Sequence, residues 1–436
     1  MFSLKKFYWN WKKRLMQRFK VQIVPLYLST YVALQKVIRQ TRVSGDKFSS
    51  VLILPPAPPG SLGDEALLTA TVEYFKMQGA KRIGIVTYES DSQWANISLT
   101  DDETTSLNYH YLHEYLSSPE ALFHFAHAVS SYECFYCIGA DVMDGYYSEK
   151  DTLQRLKFVS MANAMGVKAA VVSFSFNDKP IPNVIQSLQE LPSDIRLCSR
   201  DLISYQRLIH HLKRPVELGA DLAFLLNPDM DTEIVESISQ WVCQQRANNR
   251  IVVGINANYK LIDELEVKTL DQLIKTFVDT LIGLYSKNEK LSFLLIPHDF
   301  RNIGEKNSDV FLAEAILEVL PSEIRTHCTK VPTPCSAREI KAICRNLDIV
   351  LSGRMHLAIA CLGQETPAAC ITYQGKFEGL YKHFELDGMT IEPQQALQPG
   401  NLVNFFMPLI EKRDDIRKHI RAKLPNIQKL AKANFG

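Results

Sequence analysis

Short apolar segments alternate with longer amphipathic ones along most of this chain, and this alternation restricts the folds that the chain can adopt. In the first half the apolar segments are Val51 to Leu54, Ile83 to Thr87, Cys134 to Ile138 and Ala169 to Phe174. Stretches with helical spacing separate them, such as Ala66 to Met77 and Leu153 to Ala164. Such an alternation predicts a parallel β-sheet covered by α-helices.

The same pattern starts again after Asn227-Pro228-Asp229. The strands predicted there are Ile251 to Ile255, Phe293 to Pro297, Ile349 to Leu351 and Ala369 to Tyr373. The helices predicted between them lie near Thr269 to Tyr285, Ser308 to Leu320 and Ala337 to Cys344. A chain of 436 residues exceeds one ordinary core. We therefore predict two Rossmann-like α/β domains, 46–228 and 229–400, facing a central cleft, and a C-terminal helix at 401–436 that packs back on the first domain.

The N-terminal extension, residues 1–45, has an unusual charge. It contains ten Lys and Arg and no Asp or Glu, interleaved with aromatic residues that include Phe7, Trp9 and Trp11. Cations and aromatic rings on one segment are typical of a helix that lies on an anionic membrane surface. Because the chain has no apolar run of 18 residues, we expect this extension to dock on a membrane rather than to cross it.

Three alternatives for the extension are less favoured. A signal peptide needs an uninterrupted apolar core, whereas this segment ends in further basic residues. A nucleic-acid-binding arm is not followed by any recognisable nucleic-acid-binding module, so no nucleic-acid partner is expected. The third alternative is a helix that packs on the body of the protein.

The cysteine content and the bulk composition predict the compartment. Nine cysteines in a long chain do not form a disulfide framework, and 46% hydrophobic with 22% charged residues is typical of a globular protein. We therefore expect a cytoplasmic protein with reduced thiols.

A candidate site follows the predicted strand that ends at Leu351. The sequence Ser352-Gly353-Arg354-Met355-His356 places an Arg and a His where a strand gives way to a helix, which is where open α/β sheets bind ligands. Arg354 offers a fixed cationic fork for a carboxylate or phosphate, and His356 can exchange a proton near neutral pH. The pair suits an anionic substrate that must be protonated. Alternatively, Arg354 pairs with a carboxylate elsewhere and His356 only begins a helix.

Glycine-rich and acidic loops follow two other strands. The loop from Gly60 through Gly63 and Asp64 leads into the first helix and could bring backbone N–H groups close to an anion, although Asp64 could simply be a helix N-cap. It matches neither a phosphate-binding P-loop nor a dinucleotide fingerprint. Farther along, Asp144 lies in a loop that could contact sugar hydroxyls or merely form a turn at Gly145.

Two more strand ends carry polar groups. Arg200 precedes a helix that Asp201 can cap, which leaves Arg200 available as an anion ligand. His298 follows the strand that ends at Pro297.

A zinc site was considered because His110, His113, His124 and His127 lie close in sequence to Cys134 and Cys137. In a strand, residues i and i+3 point to opposite faces, so the two sulfurs cannot share one ion. We therefore expect no metal site.

Taken together, these motifs resemble the polysaccharide pyruvyl transferase family. Gly60 to Glu65 resembles its G-N-x-G-D-E segment with Ser61 in place of Asn, and Arg200-Asp201 with Ser204 resembles its R-D-x-x-S. Asp221 and Phe224 resemble its D-x-x-F, and Ser352 to His356 its S-x-R-x-H. The segment Thr372 to Lys376 is similar to its late Tyr…Lys stretch. The resemblance covers about Val51 to Leu386.

The resemblance implies a fold similar to the GT-B glycosyltransferases. It also implies a reaction in which phosphoenolpyruvate forms a pyruvate ketal on two sugar hydroxyls of a cell-surface or exopolysaccharide, which is expected to be lipid-linked, with release of phosphate. Phosphoenolpyruvate is then a co-substrate, and no nucleotide, metal or redox cofactor is required. The resemblance also implies that the basic extension docks a cytoplasmic, peripheral protein on the inner face of the cell membrane, where lipid-linked sugars reside. Two alternatives remain: a GT-B glycosyltransferase that uses a nucleotide sugar, and a catalytically inactive, membrane-docked subunit of a polysaccharide assembly machine.

The same resemblance assigns roles to individual residues. His356 is expected to be the general acid or a phosphate ligand, and Arg200 and Arg354 are expected to hold the carboxylate and phosphate of phosphoenolpyruvate. Lys376 is expected to be a further anion ligand. Asp64 and Asp144 are expected to orient acceptor hydroxyls, and Gly60, Gly63 and His298 are the remaining loop candidates.

Overall fold

The computed structural model describes residues 32–33, 48–87, 94, 97, 125–261, 269–301, 303–372 and 377–436. Apart from Val32 and Ala33, the basic extension at 1–45 lies outside the described residues. Lys376 lies outside them as well, as do His110, His113 and His124. Within the described ranges, no helix is both long and apolar enough to cross a bilayer.

The first sheet has six parallel strands in the order β2-β1-β3-β4-β5-β6. These strands are β1 Ser50–Leu54, β2 Arg82–Ile85, β3 Cys134–Ala140, β4 Lys168–Phe174, β5 Arg196–Ser199 and β6 Glu217–Leu218. They are apolar because helices cover both faces of the sheet. Cys134 contributes to the core on one face and Cys137 to the core on the other, as strand geometry requires.

The second sheet also has six parallel strands, in the order β12-β11-β10-β7-β8-β9. These strands are β7 Ile251–Asn256, β8 Leu291–Leu295, β9 Cys328–Lys330, β10 Ile349–Ser352, β11 Ala368–Ile371 and β12 Thr390–Ile391. Two parallel-sheet α/β units are therefore present, which confirms the fold class predicted from the alternating pattern.

The helices associated with the first sheet are α1 Leu62–Met77, α2 Glu149–Ala164, α3 Pro182–Gln189 and α4 Leu202–His211. The helices that follow are α5 Glu233–Ala247, α6 Leu270–Lys287, α7 Asp309–Val319, α8 Ser322–Arg325, α9 Ala337–Cys344, α10 Met355–Leu362, α11 Phe377–Phe384, α12 Pro393–Ala396, α13 Asn401–Glu411 and α14 Arg413–Lys432. Helix α1 begins four residues before the predicted start at Ala66 because the hydroxyl of Ser61 accepts a hydrogen bond from the N–H of Asp64 and caps it.

The C-terminal segment differs in detail from the single helix that we expected. It forms α13 and α14, separated at Lys412, and ends in a 3-10 turn at Ala433–Phe435. The side chain of Asn434 accepts a hydrogen bond from the N–H of Ser173 (2.8 Å) and donates one to the carbonyl of Ala220 (2.8 Å). The ring of Phe435 stacks on Tyr74 with centroids 4.0 Å apart. The end of the chain thus packs on the first sheet.

Candidate active site

A cleft lies where the carboxyl ends of the two sheets face each other. In the first sheet, β2 and β3 lie on opposite sides of β1, and in the second, β8 and β10 lie on opposite sides of β7. Loops that leave two such neighbouring strands diverge and open a crevice, which is where α/β proteins bind ligands. The loops after β1 and β3 meet the loops after β7, β8 and β10 at this cleft.

The cleft has a volume of about 190 Å³. Its described lining includes residues from both sheets: Ala57, Ser61, Gly63, Asp64, Asp141, Val142, Tyr147, Lys260, His298, Arg301, Arg354, Met355, His356 and Phe377. The two units are joined at one side of it, because the N–H of Phe300 donates a 2.7 Å hydrogen bond to the carbonyl of Gly60 and an antiparallel bridge pairs Ser61 with Asp299.

His356 lies at the start of α10 and faces the start of α1. A methyl group on Gly63 would approach Nδ1 of His356 to 2.2 Å, so only glycine allows this contact. Nε2 of His356 is buried and, among the described residues, has no hydrogen-bond partner. It lies 3.6 Å from Oδ2 of Asp221. An imidazole with one nitrogen beside a carboxylate and no fixed partner is suited to proton transfer.

Asp221 is held in place from several sides. It is buried, its Oδ1 accepts a 2.9 Å hydrogen bond from the N–H of Ala223, and its Oδ2 accepts one of 3.2 Å from Arg200. Burial raises the pKa of Asp221, but its interactions with His356 and the charge of Arg200 outweigh burial and lower it. Asp221 therefore presents a carboxylate to His356. The sequence motif identified Asp221, but not its pairing with His356.

Arg200 lies behind this carboxylate rather than on the cleft surface. Its guanidinium donates to the hydroxyl of Ser175 (2.6 Å) and to Asp221 (3.2 Å), and the residue is 4% exposed. Asp201 caps α4 through the N–H of Ser204 at 2.8 Å, as the motif suggested. The expectation that Arg200 binds the donor directly stays a prediction; in this structure Arg200 contacts Asp221.

Arg354 lines the cleft, and its guanidinium is bonded to two carboxylates. It forms ion pairs of 3.0 Å with Asp299 and 2.7 Å with Asp309. Its guanidinium lies 5.5 Å from the ring centroid of Tyr259. The sequence left open that Arg354 pairs with a carboxylate instead of binding a ligand. In the structure its guanidinium pairs with two carboxylates and also lines the cleft. Neither Asp299 nor Asp309 was predicted to pair with it.

A second cationic group, absent from the predictions, is Arg301. It also bonds Asp299, through Nε at 3.0 Å, and its side chain is 36% exposed. Burial raises the pKa of Asp299, but its bonds to Arg301 and the charge of Arg354 prevail and lower it to about 2. Gly60, with φ +113°, packs against Arg301, because a Cβ at Gly60 would lie 2.7 Å from Cγ of Arg301.

Lys260 follows β7 and was also absent from the predictions. Its pKa is lowered, first by burial and then by the charges of Arg301 and Arg354. Neighbouring cations that disfavour a further positive charge produce a site that favours an anion. The signal available in the sequence was its position after a strand, within Asn258-Tyr259-Lys260.

The two acidic candidates differ in position. Asp64 lines the cleft, and burial raises its pKa against the opposing charges of His356 and Arg301. Asp144 is not among the lining residues; it is buried, and its carboxylate accepts hydrogen bonds from the N–H groups of Tyr146 (3.0 Å) and Asn177 (3.2 Å). From the same loop, Asp141 reaches the cleft.

His298 lines the cleft as a neutral group. Burial, followed by the charges of His356 and Arg354, lowers its pKa to about 3. The backbone N–H of His298 donates a 3.1 Å hydrogen bond to the carboxylate of Asp309. The positive charge on this side of the cleft therefore comes from Arg301, Arg354 and Lys260 rather than from His298.

All nine cysteines are free thiols, as expected for a chain without a disulfide framework. Within the described ranges no group of three or more His, Cys, Asp or Glu is arranged to hold a metal ion. The expectation that the reaction needs no metal stays a prediction.

The sequence matches a family model described as polysaccharide pyruvyl transferase over residues 62–375. This range contains the motifs around Arg200, Asp221 and Arg354, and begins inside the glycine loop at Leu62. Among curated proteins, none matches the chain.

Solved structures with a similar fold are glycosyltransferases and epimerases. A glycosyltransferase from Rickettsia africae has a TM-score of 0.55 at 12% identity, covering 89% of this chain and 97% of its own. A putative UDP-N-acetylglucosamine 2-epimerase from Listeria monocytogenes has a TM-score of 0.59 at 11% identity, covering 88% and 94%. The UDP-GlcNAc 2-epimerase from Neisseria meningitidis has a TM-score of 0.54 at 14% identity, covering 88% and 98%. At these identities the likeness shows the GT-B type of fold alone.

Proposed function

Because this chain belongs to the polysaccharide pyruvyl transferase family, we propose that it transfers the pyruvyl group of phosphoenolpyruvate to two hydroxyls of one sugar in a cell-surface or exopolysaccharide. The products are a cyclic pyruvate ketal and phosphate. The observation that carries this proposal is the position of His356 in a cleft that Lys260, Arg301 and Arg354 also line, with a buried nitrogen 3.6 Å from the carboxylate of Asp221.

The cleft offers several groups to an anionic donor. Helix α10 begins at it without a side-chain cap, and the first N–H groups of a helix lack intrahelical partners and favour anions. Arg301 and Arg354 add two guanidinium groups whose orientation is fixed by Asp299. Preorganised positive groups stabilise the charge of a phosphate that departs during the reaction. The predicted anion ligand Lys376 would add to them.

The proposed chemistry begins with protonation. His356 donates a proton to the CH2 carbon of phosphoenolpyruvate, which becomes a methyl group and leaves an oxocarbenium-like carbon at C2. One sugar hydroxyl attacks C2 and loses its proton. The second hydroxyl then displaces phosphate from C2, and its proton leaves with the phosphate. Asp221 acts through His356: its carboxylate, 3.6 Å from Nε2, orients the imidazole that donates the proton.

Acceptor hydroxyls are assigned to the other side of the cleft. Asp64 and Asp141 line it there, and carboxylate oxygens accept hydrogen bonds from hydroxyl groups. We assign Asp64 to the hydroxyl that attacks first. Its raised pKa makes its carboxylate a stronger base than an ordinary aspartate, so it better accepts the proton that this hydroxyl loses.

We further propose that the basic extension, residues 1–45, docks on the anionic inner face of the cell membrane, where lipid-linked acceptors reside. Ten cations without an opposing carboxylate in this segment support the proposal.

The direct test measures phosphate release from phosphoenolpyruvate by the full-length protein with a panel of soluble and lipid-linked glycans. We expect release that depends on the acceptor. In parallel, a ligand that binds the native state raises the melting temperature, so phosphoenolpyruvate should stabilise the protein and nucleotide sugars should not. Stabilisation by a nucleotide sugar alone would instead indicate a glycosyltransferase. The absence of both stabilisation and phosphate release would indicate an inactive assembly subunit.

A further inference from the structure

Two tyrosines are exposed beside the cleft. Tyr146 is 55% exposed and Tyr147 is 47% exposed, and in the part of the chain that the structure describes they are the two aromatic residues among the exposed large apolar side chains. Exposed aromatic rings next to a polar cleft indicate a surface that is covered by a ligand, because exposure of adjacent rings to water is unfavourable.

The loop that carries these rings is held rigidly. The carboxylate of Asp144 bonds the N–H groups of Tyr146 and Asn177. Gly145 has φ +84°, and a Cβ there would lie 2.7 Å from Cγ1 of Ile181. The backbone between Asp144 and Tyr147 is therefore fixed by a buried carboxylate and by close packing, so the exposure of the rings is a stable feature of the fold.

The two rings form an angular surface with a carboxylate at its edge and an ammonium group over one ring. Their centroids are 5.3 Å apart and their planes meet at 89°. The hydroxyl of Tyr147 donates to Oδ2 of Asp141 at 3.1 Å, and Nζ of Lys260 lies 5.9 Å from the centroid of its ring. Tyr147, Asp141 and Lys260 all line the same cleft as His356.

This combination matches the chemistry of a pyranose ring. A pyranose has an apolar face of C–H groups that packs on an aromatic ring, and hydroxyls at its edge that donate to carboxylates and accept from ammonium groups. Phosphoenolpyruvate has no apolar ring face, so the tyrosines do not suit the donor.

We propose that Tyr146 and Tyr147, with Asp141 at the edge of Tyr147 and Lys260 over its ring, form the subsite that binds a pyranose ring of the acceptor glycan. This inference rests on the proposed function, since it identifies where the sugar that receives the pyruvyl group is held. Free and lipid-linked glycans share this pyranose chemistry. Asp144, predicted to contact acceptor hydroxyls, then acts indirectly by positioning the two rings.

The first experiment measures sugar binding without turnover. Saturation-transfer difference NMR is recorded on the full-length protein with methyl glycosides of galactose, glucose, mannose and N-acetylglucosamine, in the absence of phosphoenolpyruvate. We expect transfer to the ring protons of at least one glycoside and about tenfold weaker binding in Tyr147→Ala, the loss expected for an aromatic contact. Tyr147→Phe, which keeps the ring, should remain within about threefold. Met77→Ala, an exposed apolar side chain on α1, is the matched control and should bind as the wild type does.

The second experiment separates this subsite from the reaction. With an acceptor that supports phosphate release, Tyr147→Ala should raise the KM for the acceptor about tenfold and leave the KM for phosphoenolpyruvate unchanged. The subsite is refuted if no glycoside binds to the wild type, or if Tyr146→Ala combined with Tyr147→Ala leaves binding unchanged. If glycoside binding depends on the tyrosines but phosphoenolpyruvate is never consumed, the sugar subsite stands and the proposed reaction is wrong.

Discussion

The two sides of the cleft are built differently. On the side of the second sheet, Arg354 and Arg301 both form ion pairs with Asp299, and Arg354 also pairs with Asp309. These ion pairs hold the two guanidinium groups in a fixed arrangement. On the side of the first sheet, Asp64, Asp141 and Tyr147 line the cleft, and Lys260, which follows β7, lies over the ring of Tyr147. The first arrangement suits a small, highly charged donor, and the second suits an uncharged ring with hydroxyls. The difference assigns donor and acceptor to opposite sides.

The largest expected effect is a loss of stability when Arg354, which pairs with two carboxylates on the side of the second sheet, is replaced. Arg354→Met leaves the buried Asp309 without the cation that it pairs with, while Asp299 keeps Arg301, and removing one partner of a buried ion pair costs about 3–5 kcal/mol. We expect the free energy of unfolding, measured in urea, to fall by that amount. Arg301→Met is the matched control: its side chain is 36% exposed, and a smaller loss is expected. Equal, small losses in both variants would show that Arg354 does not organise this side.

The pH dependence of stability tests the neutral state of His298. Its folded pKa of about 3 is below the unfolded value of 6.5, so the unfolded chain binds more protons between these values and stability falls as the pH falls from 6.5. His298→Gln should remove roughly 3 kcal/mol of the loss between pH 6.5 and pH 4. The quantity compared is the change in unfolding free energy over this interval. His210→Gln, at an exposed histidine, serves as the control. Identical pH dependences for His298→Gln and the wild type would contradict this explanation.

His356 is the proposed proton donor of the reaction, and its removal should reduce turnover. His356→Ala is expected to reduce kcat by about 100-fold or more, the usual contribution of a general acid. Circular dichroism should show an unchanged fold. Activity within about threefold of wild type would eliminate His356 as the acid.

Substitution of Arg301 tests whether the side of the second sheet binds phosphoenolpyruvate. We expect Arg301→Met to raise the KM for phosphoenolpyruvate about tenfold through the loss of one charge-assisted contact. The KM for the acceptor should remain unchanged. Lys275→Met, at an exposed lysine on α6 that pairs with Asp279, is the control. An increase in the acceptor KM alone would show that the side of the second sheet binds the acceptor and not phosphoenolpyruvate.

The smallest effect on turnover is expected from the basic extension. Removal of residues 1–44 should leave the activity toward a soluble acceptor nearly unchanged, because the described lining of the cleft begins at Ala57. Sedimentation with anionic vesicles should be lost, and for the full chain it should weaken as salt screens the charges over about 8 Å. Binding that does not depend on salt would indicate hydrophobic insertion. An insoluble truncated protein would show that the extension belongs to the fold.

The sequence predicted the layers of the fold because strand burial leaves a local signal. Val51 to Leu54 alternate between two cores on the two faces of one sheet, and such an apolar run between helices is recognisable without tertiary information. The rule that ligands bind at the carboxyl ends of parallel strands placed His356 in the cleft correctly.

The partners of the site residues could not be predicted in the same way. Arg354 is 45 residues from Asp309, and Arg200 is 21 residues from Asp221, so their pairing depends on which strands become neighbours. Sequence motifs identified both arginines as ligands for an outside anion, whereas the fold supplies carboxylates to each. Tyr147 and Lys260 lie in loops without a recognisable pattern, and only their position after strands could have identified them.

The hydrogen bond from Phe300 to Gly60 has a practical consequence for studies of motion. Its donor lies in the loop after β8 and its acceptor in the loop after β1, so the amide proton of Phe300 exchanges with deuterated solvent when the two loops separate at that point or when one unit unfolds. The exchange rate of this amide, compared with that of core strand β7, would give the free energy of opening at this contact. A ligand that bridges the two sides should slow that exchange in proportion to its occupancy.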